Sequence, residues 1–287
     1  MDTNMDEAKR LMEYLLFFYT PSGEEEPIAY FIYDYLKRLG VKVRMEHISG
    51  KSYNVIVNDI HDPDLLIATH MDTVAIYTPP RLEGNVFHGV GACDAKGSIV
   101  AILLAISRVE LEDRVSIAIF SDEEVGGSGS KHYLKNHKPK NALVMEPTKL
   151  KICLSGHGSV EGEILVQTRK LHPSIANMHP EENSILKMLE IINILRRELK
   201  RQGMDICIYA INCGSGMEFW VPDKCKASFD ISIPPQSNLE ACVKTLKEIS
   251  QHYNFGLSIR EYSEPFSTKD SIFIERLTGA YVDTFST

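Results

Sequence analysis

Apolar residues recur at helical spacing from the start of the chain. Leu11, Met12, Leu15, Leu16 and Phe18 fall within residues 6–19 and predict an amphipathic helix. The turn Thr20-Pro21-Ser22-Gly23 follows. Residues 24–39 predict a second helix, with an acidic first turn, Pro27 near its start and Gly40 just beyond its end. Strand-like runs occupy 41–46, 53–58 and 65–69. Residues 95–109 predict a strongly apolar helix. Residues 115–121 and 142–145 are short continuous apolar runs, the kind buried on both faces of a sheet. Strands interleaved with helices predict an α/β layered fold.

The pattern changes after about residue 156. A strand at 160–168, a helix at 182–200, strands at 205–212 and 224–233, a helix at 239–252 and a strand at 255–260 give the order β-α-β-β-α-β. That is the ferredoxin-like arrangement. Residues 271–285 predict one more helix, which needs an earlier part of the chain to pack on. We therefore expect a first domain over 1–156, a second over 157–262, and a return toward the first over 263–287.

Composition narrows the functional classes. The 287 residues are 44% hydrophobic and 24% charged, enough apolar material for a sizeable core. A net charge of -8 disfavours non-specific binding to nucleic acid or to an anionic membrane. No apolar run approaches the roughly 20 residues that span a bilayer. The first nine residues are polar and carry no signal-peptide core. Six cysteines, at 93, 153, 207, 213, 225 and 242, include no Cys-x-x-Cys pair. Reduced thiols in a cytoplasmic protein are the expectation.

Five segments carry candidate chemistry, each at a predicted strand end or in the loop after it: 68–73, 89–97, 121–127, 145–148 and 171–174. They hold His70 and Asp72, then Asp94, then Glu123 and Glu124, then Glu146, then His172. In open α/β sheets such loops gather at one edge, where ligands bind. His70, Asp94, Glu124 and Glu146 supply one imidazole and three carboxylates, a set that suits Zn²⁺, Co²⁺ or Mn²⁺. Asp72, two residues from His70, is placed to hold the second imidazole nitrogen. Of the adjacent Glu123 and Glu124, one can bind metal while the other stays free as a base. Taken singly, each has a plainer reading: a surface His-x-Asp pair, a solvated acidic loop, an N-cap, a strand-end residue. Their order along the chain makes coincidence improbable.

These segments resemble the M20 metallopeptidases, the family of carboxypeptidase G2, succinyl-diaminopimelate desuccinylase, acetylornithine deacetylase and aminoacylase. The resemblance extends over nearly the whole chain, including 156–162 and 220–225. It implies a zinc-exopeptidase-like catalytic domain with an inserted ferredoxin-like lid and dimerisation domain. Asp94 would bridge two divalent metal ions, Zn or Co. His70 and Glu146 would complete one metal and Glu124 would serve the other. Asp72 would orient His70, Glu123 would be the general base, and His172, from the lid of a partner subunit in a homodimer, would stabilise the oxyanion.

Within the family, 70–73, 93–96, 121–130 and 230–234 are similar to the short archaeal-type enzymes that release lysine or ornithine from the carrier protein LysW, in lysine and arginine biosynthesis. The alternatives are an N-acyl-amino-acid deacylase or dipeptidase and, in another class, a non-catalytic metal- or carrier-binding protein. Two departures accompany the resemblance. The places of a carboxylate-binding arginine and a nearby asparagine hold Ser232 and Phe219. The family's last metal ligand is a histidine after the lid, and no histidine follows His252. The expectation is that the family's C-terminal end is missing here. A cluster of Arg196, Arg197, Lys200 and Arg201 reads first as a solvated helix face and, more sharply, as a steering patch for an acidic carrier.

Overall fold

The computed structural model describes residues 3–214 and 219–285. The chain divides between Lys151 and Ile152 into two compact units. The first opens with α1 (Thr3–Phe17) and α2 (Glu26–Arg38), followed by β1 (Val43–Ser49), β2 (Ser52–Val57) and β3 (Leu65–His70). A small hairpin, β4 (Arg81–Glu83) and β5 (Val86–His88), precedes α3 (Lys96–Ile106), β6 (Val115–Phe120), α4 (Ser128–Asn136) and β7 (Asn141–Val144).

These strands form a five-stranded sheet in the order β1-β2-β6-β3-β7. β3 runs parallel to β6 and β7, whereas β1–β2 and β2–β6 are antiparallel. The strand period of two sorts the apolar side chains. Val55, Val57, Ile117 and Ile119 meet Leu15, Ile28, Ile32, Ile99 and Leu103 of α1, α2 and α3 on one face. Ile56, Leu66, Ala118 and Phe120 meet Tyr133 of α4 on the other. The continuous apolar run of β6 is thus explained by burial on both faces, but the run at 142–145 is not so buried: β7 alternates between half-buried and exposed residues, and Val144 is exposed. In the β4–β5 hairpin, Gly84 takes the positive φ of +63° that a two-residue turn demands at its first central position.

The second unit holds β8 (Ser155–Gly156), β9 (Gly158–Gln167), the short α5 (Pro173–Ala176), α6 (Ser184–Arg201), β10 (Asp205–Cys213), β11 (Lys224–Ile233), α7 (Leu239–Tyr253), β12 (Gly256–Ser263), β13 (Phe266–Ser267) and α8 (Ser271–Phe285). Its antiparallel sheet has the order β10-β11-β9-β12. Counted from β9, that is the 2-3-1-4 order expected of the ferredoxin-like arrangement. Alternate residues Val160, Ile164 and Val166 of β9 and Ala227, Phe229 and Ile231 of β11 bury against Met188, Ile191 and Leu195 of α6 and Leu246 of α7. Gly162 lies opposite Phe229, and a Cβ there would stand 2.7 Å from the Phe229 ring. The ring fills the space the glycine leaves.

One expectation is corrected. Cys213 and Cys225 are register partners on β10 and β11, with Cα atoms 4.1 Å apart, and form a disulfide. The strand register joins them; twelve residues of separation in sequence conceal the pairing. The other four cysteines are free. Among the described residues no helix is long and apolar enough to cross a membrane.

Candidate metal centre

Because β3, β6 and β7 are parallel, their carboxyl ends share one edge of the first sheet. His70 is the last residue of β3 and pairs with Phe120, the last of β6. The ladder continues past the strands: Met71 N–H donates to the Phe120 carbonyl and Met145 N–H to the Ala68 carbonyl. The loops bearing Asp72, Glu123 and Glu146 therefore leave the sheet side by side. Asp94 joins them from the turn that leads into α3, and the Asp94–Ala95 peptide is cis. That turn is tightly wound. Gly91 has φ of +81°, and a Cβ there would stand 2.8 Å from Thr73 Cγ2 and 2.9 Å from Lys96 Cδ.

The structure brings His70, Asp94 and Glu146 together. One ligand atom from each lies within 4.8 Å of the other two. His70 is buried, and its Nδ1 lies 3.0 Å from the Asp72 backbone carbonyl. A carbonyl only accepts, so Nδ1 carries the proton and Nε2 is left on the side of Asp94, 2.9 Å from Oδ1. The Asp72 carboxylate is the more distant neighbour of Nδ1, at 3.5 Å. Its oxygens are engaged elsewhere. Oδ1 accepts from Glu123 N–H at 3.0 Å, while Oδ2 accepts from Glu124 N–H at 3.0 Å and from Ser22 Oγ at 2.7 Å. Asp72 thus holds the acidic loop as much as it faces the imidazole. Glu124 lies outside the three-residue group. Glu123 is exposed to solvent.

The electrostatics are those of crowded carboxylates. Burial raises Glu146 to about 7; the His70 charge opposes this, and neighbouring Asp94 and Glu123 reinforce it. Glu123 and Glu124 are raised for the same reasons, burial first. Burial alone would lower His70, but hydrogen bonds to Asp72 and Asp94 override it and take the ring up to about 10. Negative charge is in excess at this edge, and a cation is what relieves it. One imidazole nitrogen and two carboxylates within reach of one point fit a borderline divalent ion.

His172 belongs to the second unit. It caps α5, its Nδ1 accepting from Ser174 N–H at 3.3 Å. Its ring stands edge-on to Phe219 and Trp220, with centroids 5.6 and 5.8 Å away. Ser232 Oγ lies 2.7 Å from His157 Nδ1. Glu198 and Asp205 offset two of the four charges of the predicted basic patch on α6: Arg197 and Arg201 reach Glu198, and Lys200 reaches Asp205.

Sequence reasoning passes over several residues that shape this edge. Thr20 is buried; its hydroxyl donates to the Met71 carbonyl and its own carbonyl accepts from Thr73 N–H. Lys96 is buried, lowered to about 8 by that burial, and donates to the Phe18 carbonyl at 2.6 Å. Ser22 donates to Asp72. The signal was present in the Thr-Pro-Ser-Gly turn, but there it reads only as punctuation between two helices.

The model of the peptidase family M20/M25/M40 matches residues 66–285. A Pyrococcus abyssi relative is 35% identical over 177 residues, 61% of this chain and 50% of its own length. A LysW-lysine/LysW-ornithine hydrolase of Sulfurisphaera tokodaii is 32% identical over 186 residues, 64% of this chain and 52% of its own. The chain thus spans about half the length of these two relatives. One of the same name from Saccharolobus islandicus is 27% identical over 262 residues, 90% of this chain and 72% of its own. Among solved structures, the M20 family metallo-carboxypeptidase Sso-CP2 from Sulfolobus solfataricus shares the fold with a TM-score of 0.75 at 20% identity, covering 100% of this chain and 84% of that one. A Staphylococcus aureus tripeptidase does so with a TM-score of 0.77 at 15% identity, covering 98% and 82%.

Proposed function

This chain belongs to peptidase family M20/M25/M40, and from that premise we propose that it is a metal-dependent hydrolase of an amide or isopeptide bond beside an amino-acid moiety. The observation that carries the reading is the convergence of His70, Asp94 and Glu146 within 4.8 Å, with Glu123 and Glu124 held beside them by the Asp72 carboxylate. His70, Asp94 and Glu146 would hold one divalent ion, Zn²⁺ or Co²⁺, and Asp94 with Glu124 would serve a second. A bound divalent ion supplies Lewis acidity to the scissile carbonyl and makes water more acidic. Glu123 takes the proton of the attacking water and returns it to the leaving amine; its raised affinity for protons suits both transfers. His172, reaching from a partner subunit's lid, donates to the oxygen on which negative charge develops.

The substrate read most readily from the named relatives is lysine or ornithine linked to LysW. Free N-acyl amino acids and dipeptides are the competing substrates. Rates on a carrier-linked lysine and on N-acetyl-lysine, measured side by side, separate the two: comparable rates would remove the carrier from the account. The chemistry itself is tested by substitution. Glu123→Gln should keep its metal content and lose nearly all turnover, because the proton transfers need a carboxylate. Asp94→Ala should lose metal. Equal loss of metal from both variants would sink this division of roles.

A further inference from the structure

We propose that Glu25 is a positioning residue for the loop that carries Glu123 and Glu124. Glu25 is wholly buried at the N-terminus of α2, and among the described residues it has no cationic partner. Its carboxylate accepts three hydrogen bonds. Oε1 takes Gly23 N–H and Asp122 N–H, both at 3.0 Å, and Oε2 takes Ser52 Oγ at 2.8 Å. One side chain thus ties the turn before α2, the first residue of β2 and the loop after β6.

Its engagement with Asp122 is the informative one. Asp122 has φ of +60°, the left-handed region that a residue with a side chain seldom occupies and that persists where its surroundings enforce it. Asp122 N–H is held by Glu25. The next two amides, of Glu123 and Glu124, are held by the Asp72 carboxylate. Three consecutive N–H groups therefore end on two fully buried carboxylates. The loop is closed behind them by Gly126 and Gly127 N–H on the Asp122 carbonyl and by Ser128 N–H on its side chain. A carboxylate buried without a counter-ion is costly. Capping a helix does not require one here, because the Glu25 side chain makes no cap hydrogen bond to α2. What it does hold is the start of the loop. His70, Asp94 and Glu146 stand on other segments, which Glu25 does not touch.

The kinetic arm of the test rests on the function proposed above; the other two arms do not. Amide hydrogen exchange on the full chain, divalent-ion binding by calorimetry with Co²⁺, and kcat and KM on an amide substrate are measured for Glu25→Ala, Glu25→Asp and Glu25→Gln. In Glu25→Ala the Asp122 amide should exchange about tenfold faster, the consequence of one lost hydrogen bond. Co²⁺ binding to the His70, Asp94 and Glu146 group should stay close to wild type, any second equivalent served by Glu124 should weaken, and kcat should fall about 10- to 100-fold with little change in KM. Glu25→Asp, one methylene shorter, cannot span Asp122 and Ser52 together and should be intermediate; it carries the test should the alanine variant not fold. Glu25→Gln can accept both amides on its oxygen and donate to Ser52 Oγ, so it should restore protection and kcat. Unchanged exchange at 122–124 in both truncating variants would overturn the proposal. So would faster exchange spread evenly through β2 and β6 with Co²⁺ binding lost in parallel, which would make Glu25 a general stabiliser. A wild type that hydrolyses no amide, with the exchange and Co²⁺ results as expected, leaves Glu25's role standing and removes only the hydrolase reading.

Discussion

Glu146 and His70 both hold protons more firmly than free side chains do. Glu146 is raised to about 7, by burial first and by neighbouring Asp94 and Glu123; His70 is taken up to about 10 by Asp72 and Asp94 against the effect of burial. A divalent ion requires both as unprotonated ligands, so its binding must release protons. The sign follows directly. Below pH 7 the ion competes with a proton on Glu146 and on His70; between pH 7 and 10 the competition is with His70 alone. Apparent Co²⁺ affinity should therefore rise with pH from 6 to 8, and calorimetry in buffers of different ionisation enthalpy should show at least one proton released at pH 6. A pH-independent affinity would mean that these two residues are not ligands. The candidate ligands His70, Asp94 and Glu146 are legible in the sequence because imidazole and carboxylates at successive strand ends are an uncommon pattern; Glu124, read in the same way, lies outside the group they form. Ser22, Glu25 and Lys96 are not legible. A serine in a turn, a glutamate opening a helix and a lysine at a helix start are what surface chemistry supplies by default. Only the folded chain shows Glu25 and Lys96 buried and Ser22 half-buried, with hydrogen bonds reaching 50 to 97 residues along the chain for Ser22 and Glu25 and 78 for Lys96.

Elements that bury a regular apolar stripe are the ones the sequence predicts well. β11 is found over the predicted range, and α6 and α7 lie within two residues of theirs, because each buries a regular stripe. α4 is not foreseen. Its nine residues bury only Gly129 and Tyr133, so no periodicity marks it. The β4–β5 hairpin is too short for a period to register. Capping is legible only with the structure in hand. Asn183 caps α6, its Oδ1 accepting from Ile185 N–H at 3.0 Å and Leu186 N–H at 3.2 Å. Asn183→Ala should cost about 1 kcal/mol, read as a lowered denaturation midpoint with unchanged slope. The far end of the same helix bears the basic cluster. With Arg197 and Arg201 sharing Glu198 and Lys200 drawn to Asp205, two of the cluster's four charges are offset and the field left to steer an acidic carrier is reduced. The solvated face is the reading these pairs favour.

At the scale of the whole molecule, each unit has a core of its own, and the division of labour between the cores can be tested through Phe229. Its ring is fully buried at the centre of the second unit, against Gly162 and among Ile164, Ile231 and Leu195. Truncation to alanine opens a cavity that the glycine opposite cannot fill, so Phe229→Ala should cost roughly 3–5 kcal/mol of stability. The candidate ion-binding group is built otherwise. His70, Asp94 and Glu146, with the Asp72, Ser22 and Glu123 contacts that support them, all belong to the first unit, whose core comes from α1, α2, α3, β2 and β6. Phe229→Ala should therefore lower the unfolding midpoint while Co²⁺ affinity, measured well below that midpoint, stays at the wild-type value. If affinity instead fell in step with stability, the two cores would form one cooperative unit. The metal site would then owe its geometry to the second unit as well as to the sheet edge on which it stands.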